Sequence, residues 1–233
     1  KAVNLAIDRV AANYATYPGN SAIPVDYLIW KNQDGFNGDL VPYPYDPEEA
    51  RRIIKANGWE GTEIRMYQYN VATFTQWSLM QEVIAGYLQQ VGLKPKLIPI
   101  EIGTVLPPIF EGVSDVEDIQ PRAWLTTSSL DNNLNVLMIW PGDSAGYHDQ
   151  EKLARLYKAY IGALDPVERE AAALAINHAM HDEYAYIPIG LKNELWAAGP
   201  NIGEWLPCNG CSFYLSLETL KPTGDPRIGH DPY

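Results

Sequence analysis

Val3, Ala6, Ile7, Val10 and Tyr14 recur at helical spacing, which predicts one helix over residues 2–14, stopped by Pro18 and Gly19. A loop rich in Pro, Gly, Asn and aromatic residues then runs to Tyr45. Asp46, Pro47, Glu48 and Glu49 form a helix start, with Asp46 as N-cap, Pro47 at the first helical position and Glu49 placed to reach back in a capping box. That helix carries Ala50, Ile53 and Ile54, and Gly58 ends it.

Ile64, Met66 and the run 67–69 are β-prone. Trp77, Met80, Ile84, Tyr87, Leu88 and Val91 then recur at helical spacing before Gly92, and 94–100 alternates as a strand whose prolines suit an edge or strand ends. Strand, helix, strand is the building unit of a parallel sheet. Beyond it the pattern predicts a short helix over 105–110, a third strand over 122–127 and a short buried helix over 134–140. A helix from about Gln150 puts Leu153, Leu156, Tyr157, Tyr160 and Leu164 on one face. Asp165, Pro166, Val167 and Glu168 open another, which runs to about Tyr184. Short strands are expected at 187–190, 195–198 and 213–217. From Pro222 the composition changes to Pro, Gly and Asp, so residues 1–221 read as a single α/β unit and 222–233 as an extended tail.

Composition narrows the function classes. The chain has 233 residues, 46% of them hydrophobic, enough for a substantial core. Its net charge of −12 repels polyanions, with no basic run to offset it, which argues against nucleic acid as a partner. The apolar stretches fall far short of the roughly 20 residues that span a bilayer. The first residues already read as the inside of a helix, so the chain is expected to be a piece of something longer. Cys208 and Cys211 flank an Asn-Gly turn dipeptide. This spacing serves a structural disulfide or an idle pair, a redox couple, or half a metal site, and a disulfide would suit an exported protein.

Enzyme chemistry finds little to stand on. His178 and His181, beside Asp182 and Glu183, could share a metal, and together with Glu183 they define the competing reading, a metal-dependent hydrolase; spacing fixes no third ligand. Ser128 and Ser129 with Asp131 lack the glycines of a nucleophile elbow. No glycine-rich phosphate loop is present, and no cofactor is called for. What stands out instead is a set of aromatic and amide side chains, Trp30, Trp124, Trp140, Trp196 and Trp205 with Asn32, Asn132, Asn133 and Asn135. They supply the flat faces and donor-acceptor pairs that organic-solute pockets use.

The order of motifs resembles that of the family 5 extracellular solute-binding proteins, the oligopeptide-, dipeptide- and nickel-binding group of ABC importers. Ala2, Val3, Asn4, Leu5, Ala6, Ile7, Asp8 and Arg9 look like that family's A-I-D-R helix. Tyr45, Asp46, Pro47, Glu48, Glu49 and Ala50 with Gly58 look like its Y-D-P-E-K-A segment. Leu88, Gly92 and Leu93 match its L-x-x-x-G-I pattern. Asp165, Glu168 and Arg169, with Tyr186, Ile187, Pro188 and Ile189, resemble D-x-x-E-R followed by A-P-x-I-P-L. The correspondence covers about residues 2–200.

The resemblance implies an α/β lobe of the periplasmic-binding-protein type, a mixed β-sheet flanked by helices, forming the second lobe of a two-lobed protein whose first lobe lies elsewhere. It implies non-catalytic capture of a peptide or oligosaccharide in an interlobe cleft and delivery to an ABC permease in the membrane. The expected location is extracytoplasmic, periplasmic or lipid-anchored at the cell surface. Arg122, Ala123, Trp124, Leu125, Thr126 and Thr127 resemble the family's W-x-x-D cleft strand, with Trp124 as an aromatic platform. Peptide binders place at the fourth position an Asp that pairs with the ligand's amino terminus. Here Thr127 stands there and the nearest acid is Asp131, followed by Asn132. A desolvated ammonium needs a partner charge that a hydroxyl does not supply, so either Asp131 or the first lobe supplies it or the ligand is not a free-amine peptide, which brings oligosaccharides into consideration ahead of nickel-type ligands. Trp30, in the early loop, completes the expected ligand contacts.

Overall fold

The computed structural model describes residues 1–19, 21–23, 36, 40–68, 76–101, 149–192, 197–205 and 219–225. The chain opens with two short helices, α1 (Ala2–Ala6) and α2 (Arg9–Thr16), rather than the single helix that the apolar stripe predicts. Asp8 causes the break. Its backbone is extended and its carboxylate accepts from Ala11 N at 2.9 Å, so it caps a new helix. The carbonyls that end α1 are met from outside: Arg9 Nη1 donates to Asn4 O at 2.9 Å and Asp46 N to Leu5 O at 2.9 Å. The break rotates α2 relative to α1. Val10 and Tyr14 turn outward, 70% and 75% exposed, while Arg9, Ala12, Asn13 and Thr16 turn in.

Strand β1 (Ser21–Ala22) follows, then α3 (Pro47–Ala56), which starts as expected at Asp46, whose carboxylate accepts from Glu49 N at 2.9 Å. The other half of the capping box is not made. Asp46 N is already used by Leu5 O, and the Glu49 carboxylate turns forward to Arg52, with Nε and Nη2 at 2.5 and 2.6 Å. Gly58 has φ +70°, the left-handed backbone that ends the helix.

Strand β2 (Glu63–Gln68), helix α4 (Trp77–Gln90) and strand β3 (Lys94–Pro99) form the expected parallel unit, in register from Glu63 opposite Lys94 to Gln68 opposite Pro99. Lys94 N donates to Thr62 O and Ile100 N to Gln68 O, both at 2.8 Å, so even-numbered amides of β3 face β2. Pro95 and Pro99 are odd-numbered and lack a donor on the far edge, which loses nothing to β2 and discourages pairing there. Met66 of β2 buries under Met80, Ile84 and Leu88 of α4, together with Ala50 and Ile54 of α3 and Leu5, Ala6 and Ile7. This is the first core.

A second core lies between α5 (Gln150–Gly162) and α6 (Pro166–Asp182), where Leu153 and Tyr160 meet Ala173, Ile176 and Met180. Leu164, assigned by its spacing to the buried face of α5, is 96% exposed. The helix stops at Gly162 and Ala163 is extended, so Leu164 has left the helical phase. Asp165 then caps α6, accepting from Val167 N and Glu168 N at 2.9 and 3.1 Å.

Residues 187–190, expected as a short strand, join no ladder. Strand β4 (Leu191–Lys192) begins just after them and pairs antiparallel with β1. Strand β5 (Ile202–Glu204) pairs antiparallel with β6 (Lys221–Pro222), so Pro222, the expected start of the tail, is held in a ladder. Glu204 and Lys221 form a largely buried ion pair at 2.7 Å across this pair. The described strands thus form one parallel and two antiparallel pairs flanked by helices, a mixed α/β arrangement. The segments expected at 105–110, 122–127, 134–140 and 213–217, as well as Trp196, Cys208 and Cys211, lie outside the described residues.

Candidate functional site

All seven expected ligand contacts, Trp30, Trp124, Leu125, Thr126, Thr127, Asp131 and Asn132, lie outside the described residues. What is described is the scaffold on either side of them in sequence. In the parallel unit, Gln68 and Pro99 end β2 and β3 side by side, and in open α/β folds ligands sit beyond the carboxyl ends of such strands. Gln68 Nε2 lies 3.4 Å from both Ser78 O and Glu82 Oε1, so the first turns of α4 border this edge. The chain leaves β3 there and enters α5 at Gln150, and six of the seven expected contacts fall in that interval.

The chemistry-bearing cluster that is described was not anticipated as a unit. Arg9, 4% exposed, donates through Nε to Pro188 O at 2.6 Å, through Nη1 to Asn4 O and through Nη2 to Asn4 Oδ1 at 2.5 Å. Its guanidinium carbon lies 5.5 Å from the centre of the Tyr43 ring. Burial lowers its pKa to about 10, partly opposed by Tyr43, and it stays cationic at neutral pH. Tyr43 stacks on His181 at 4.6 Å and on Tyr184 at 4.9 Å, and its hydroxyl donates to His181 O at 2.8 Å. Tyr184 has φ +54°, a left-handed conformation that costs a non-glycine residue about 1–2 kcal/mol. In it, Ala185 N bonds back to Met180 O at 3.0 Å, closing α6. The sequence signal for this cluster is three polar side chains, Asn4, Arg9 and Asn13, that with the cap Asp8 interrupt an apolar helical stretch.

The hydrolase reading has no support here. His181 Nε2 lies 3.1 Å from Val41 O, an acceptor, which requires a proton on that nitrogen and removes its lone pair from metal binding; Nδ1 lies 3.5 Å from Asp182. Glu183 is paired with Lys152 of α5. Among the described residues no three His, Cys, Asp or Glu side chains gather as a metal site.

With this geometry in hand, comparison with known proteins gives the class. The family model described as bacterial extracellular solute-binding proteins, family 5 Middle, matches residues 1–157, and the chain belongs to this family. A curated relative, the nickel-binding periplasmic protein of Escherichia coli (strain K12), is 21% identical over 80% of this chain. The chain spans 38% of that relative's length. NikA from Brucella suis in complex with Fe(III)-EDTA superposes with a TM-score of 0.74 at 20% identity, covering 95% of this chain and 47% of that one. DppA from Helicobacter pylori in complex with the peptide STSA gives 0.65 at 20% identity, covering 81% of this chain and 37% of that one. The fold is accordingly that of a periplasmic-binding-protein-like α/β lobe. Proteins of this family are non-enzymatic transport components acting outside the cytoplasm. No helix among the described residues is long and apolar enough to cross a membrane.

Proposed function

We propose that residues 1–221 form the second lobe of a substrate-binding protein of an ABC importer, with 222–233 as a tail anchored where Pro222 pairs with β5. The protein captures a peptide or an oligosaccharide between this lobe and a first lobe and delivers it to a membrane permease. The observation that carries this reading is the family match over residues 1–157, joined to a parallel β2–α4–β3 unit from whose carboxyl edge the chain continues in sequence toward Trp124 to Asn132. In such a protein the ligand contributes binding energy to the closed state and shifts a hinge equilibrium; no bond is made or broken. Trp124 serves as the aromatic platform, with Leu125, Thr126, Thr127, Asp131, Asn132 and Trp30 around the ligand. Solved relatives bear on ligand class: DppA holds a peptide, and a lactococcal OppA was captured with an endogenous peptide. With Thr127 in place of the family's aspartate, Asp131 supplies the charge for a peptide amino terminus.

The test is thermal denaturation of the two-lobed parent and of this chain, each with tetrapeptides, oligosaccharides or Ni²⁺, because a ligand of the native state raises the midpoint by mass action. The expected result is a rise for the parent with a peptide or a sugar, reduced in Trp124→Ala, and little change for the chain alone. A parent that responds to Ni²⁺ alone overturns the ligand class. A parent that responds to none of the three overturns the capture reading.

A further inference from the structure

Among the described residues, a strap of five links the two cores. Ala185 and Tyr186 pack on the α5–α6 core, and Ile187 and Ile189 pack on the α1–α4 core. Among the described residues the strap pairs in no strand ladder, and three of its carbonyls are met by side chains from the other end of the sequence. Asn4 Nδ2 donates to Tyr186 O at 2.8 Å, Arg9 Nε to Pro188 O at 2.6 Å, and Asn13 Nδ2 to Ile189 O at 2.8 Å. Asn13 Nδ2 also bonds Arg9 O at 2.8 Å, and Gly190 closes the arrangement, since a Cβ there would lie within 2.8 Å of Asn13 Cγ. Beside the strap, the junction is completed by the Tyr43 stack on His181 and Tyr184 and by the Lys1 ammonium 5.7 Å from the Tyr184 ring.

We propose that α5 and α6 open and close as one unit on the α1–α4 body, and that Asn4, Arg9 and Asn13 are the latch that holds the strap closed. Each core is apolar and continuous, whereas the seam between them, among the described residues, is made of hydrogen bonds, stacked rings and the half-buried side chains of Ile187 and Ile189. A hydrogen-bonded seam gives a modest net gain when closed, because water replaces its bonds when it opens. It therefore parts before either apolar core does, and contiguous elements on its far side open together. Arg9 suits a latch. Two of its bonds run to Asn4 on its own side of the seam, so the guanidinium keeps partners while Pro188 leaves.

Hydrogen exchange of the 233-residue chain tests this, with Arg9→Gln to remove the donor to Pro188 and Asn13→Asp to remove the donor to Ile189 at constant shape. In the unaltered chain, amides of α5 and α6 are expected to exchange at least tenfold faster than those of α4, β2 and β3, and at a common opening rate. Asn13→Asp should accelerate α5 and α6 a further tenfold and leave α4 unchanged. Should Arg9→Gln fail to fold, the Asn13→Asp measurement decides alone. A single exchange rate for both halves, or acceleration that is equal in both or absent from both, overturns the proposal.

Discussion

In the α1–α4 body, five elements converge on Met66, Ile54 and Leu88, and residues far apart in sequence meet in the middle. In the α5–α6 hairpin, one seam between sequence neighbours carries the fully buried residues of the core, with Phe36, Ala185 and Tyr186 at its edge, and its largest buried side chain, Tyr160, is itself amphipathic, accepting from Arg169 Nη2 at 3.0 Å and lying 4.6 Å from that guanidinium. A core shared by many elements resists loss of any one contact only if the rest can collapse around the gap, whereas a single seam fails locally. The two halves should therefore respond differently to the same insult. Leu88→Ala should cost about 3 kcal/mol and lower the denaturation midpoint of the whole chain, as large-to-small changes at fully buried leucines do. Ile176→Ala removes a similar side chain from the hairpin. It should accelerate hydrogen exchange in α5 and α6 while leaving α4 protected, and an equal response in α4 would show that the halves are one cooperative unit.

The contact between the halves can be attacked without touching either core. Gly190→Ala forces a Cβ into the Asn13 amide, and overpacking of this kind costs roughly 1–3 kcal/mol. The expected signature is a loss of stability confined to the hairpin and the β1–β4 pair. Asn13→Ala in the same chain should recover part of it by making room, which a generic glycine effect would not allow.

What could be read in advance follows the same division. The β2–α4–β3 unit and the starts of α3 and α6 were legible because local chemistry decided them: periodicity, an Asp-Pro start, a glycine past the end. Helix α2 departs from the pattern because its large apolar residues, Val10 and Tyr14, are exposed while Arg9 and Asn13 are buried. Asn4, Arg9 and Asn13 find carbonyls some 180 positions away, and these long-range bonds override the apolar stripe that would place Val10 and Tyr14 inside. Leu164 failed for a smaller reason, a helix that ended two residues before it. The expected ligand contacts rest on resemblance, and their scaffold reaches only as far as the carboxyl edge of β2 and β3.

The start of α6 can be tested in the same way, because one carboxylate caps two of its first amides. Asp165→Ala removes the acceptor for two amides and should cost about 1 kcal/mol, seen as faster exchange in the first turn of α6 and a lower midpoint for the hairpin. Asp165→Asn, which retains an acceptor, should recover most of the loss. If the alanine variant behaves like the parent, the hairpin is held by its seam alone.

The smallest effect expected lies on the outer face of α3, where Arg52 grips the Glu49 carboxylate. The hydrogen bonds from Arg52, helped by its charge, hold the Glu49 carboxyl below the usual glutamate range, and solvent exposure leaves little of that as stability. The sign is fixed by linkage. A carboxyl whose folded pKa is depressed favours the folded state above its unfolded pKa, and that contribution fades as pH falls through the folded value. NMR titration of Glu49 should therefore show an acid-shifted midpoint that returns to the ordinary glutamate range in Arg52→Gln. The small difference in thermal midpoint between the two chains should close as the pH drops below that range. A Glu49 that titrates identically in both chains would mean that the pair is broken in solution, leaving the Asp46 cap and the buried face of Ala50 and Ile54 to hold α3.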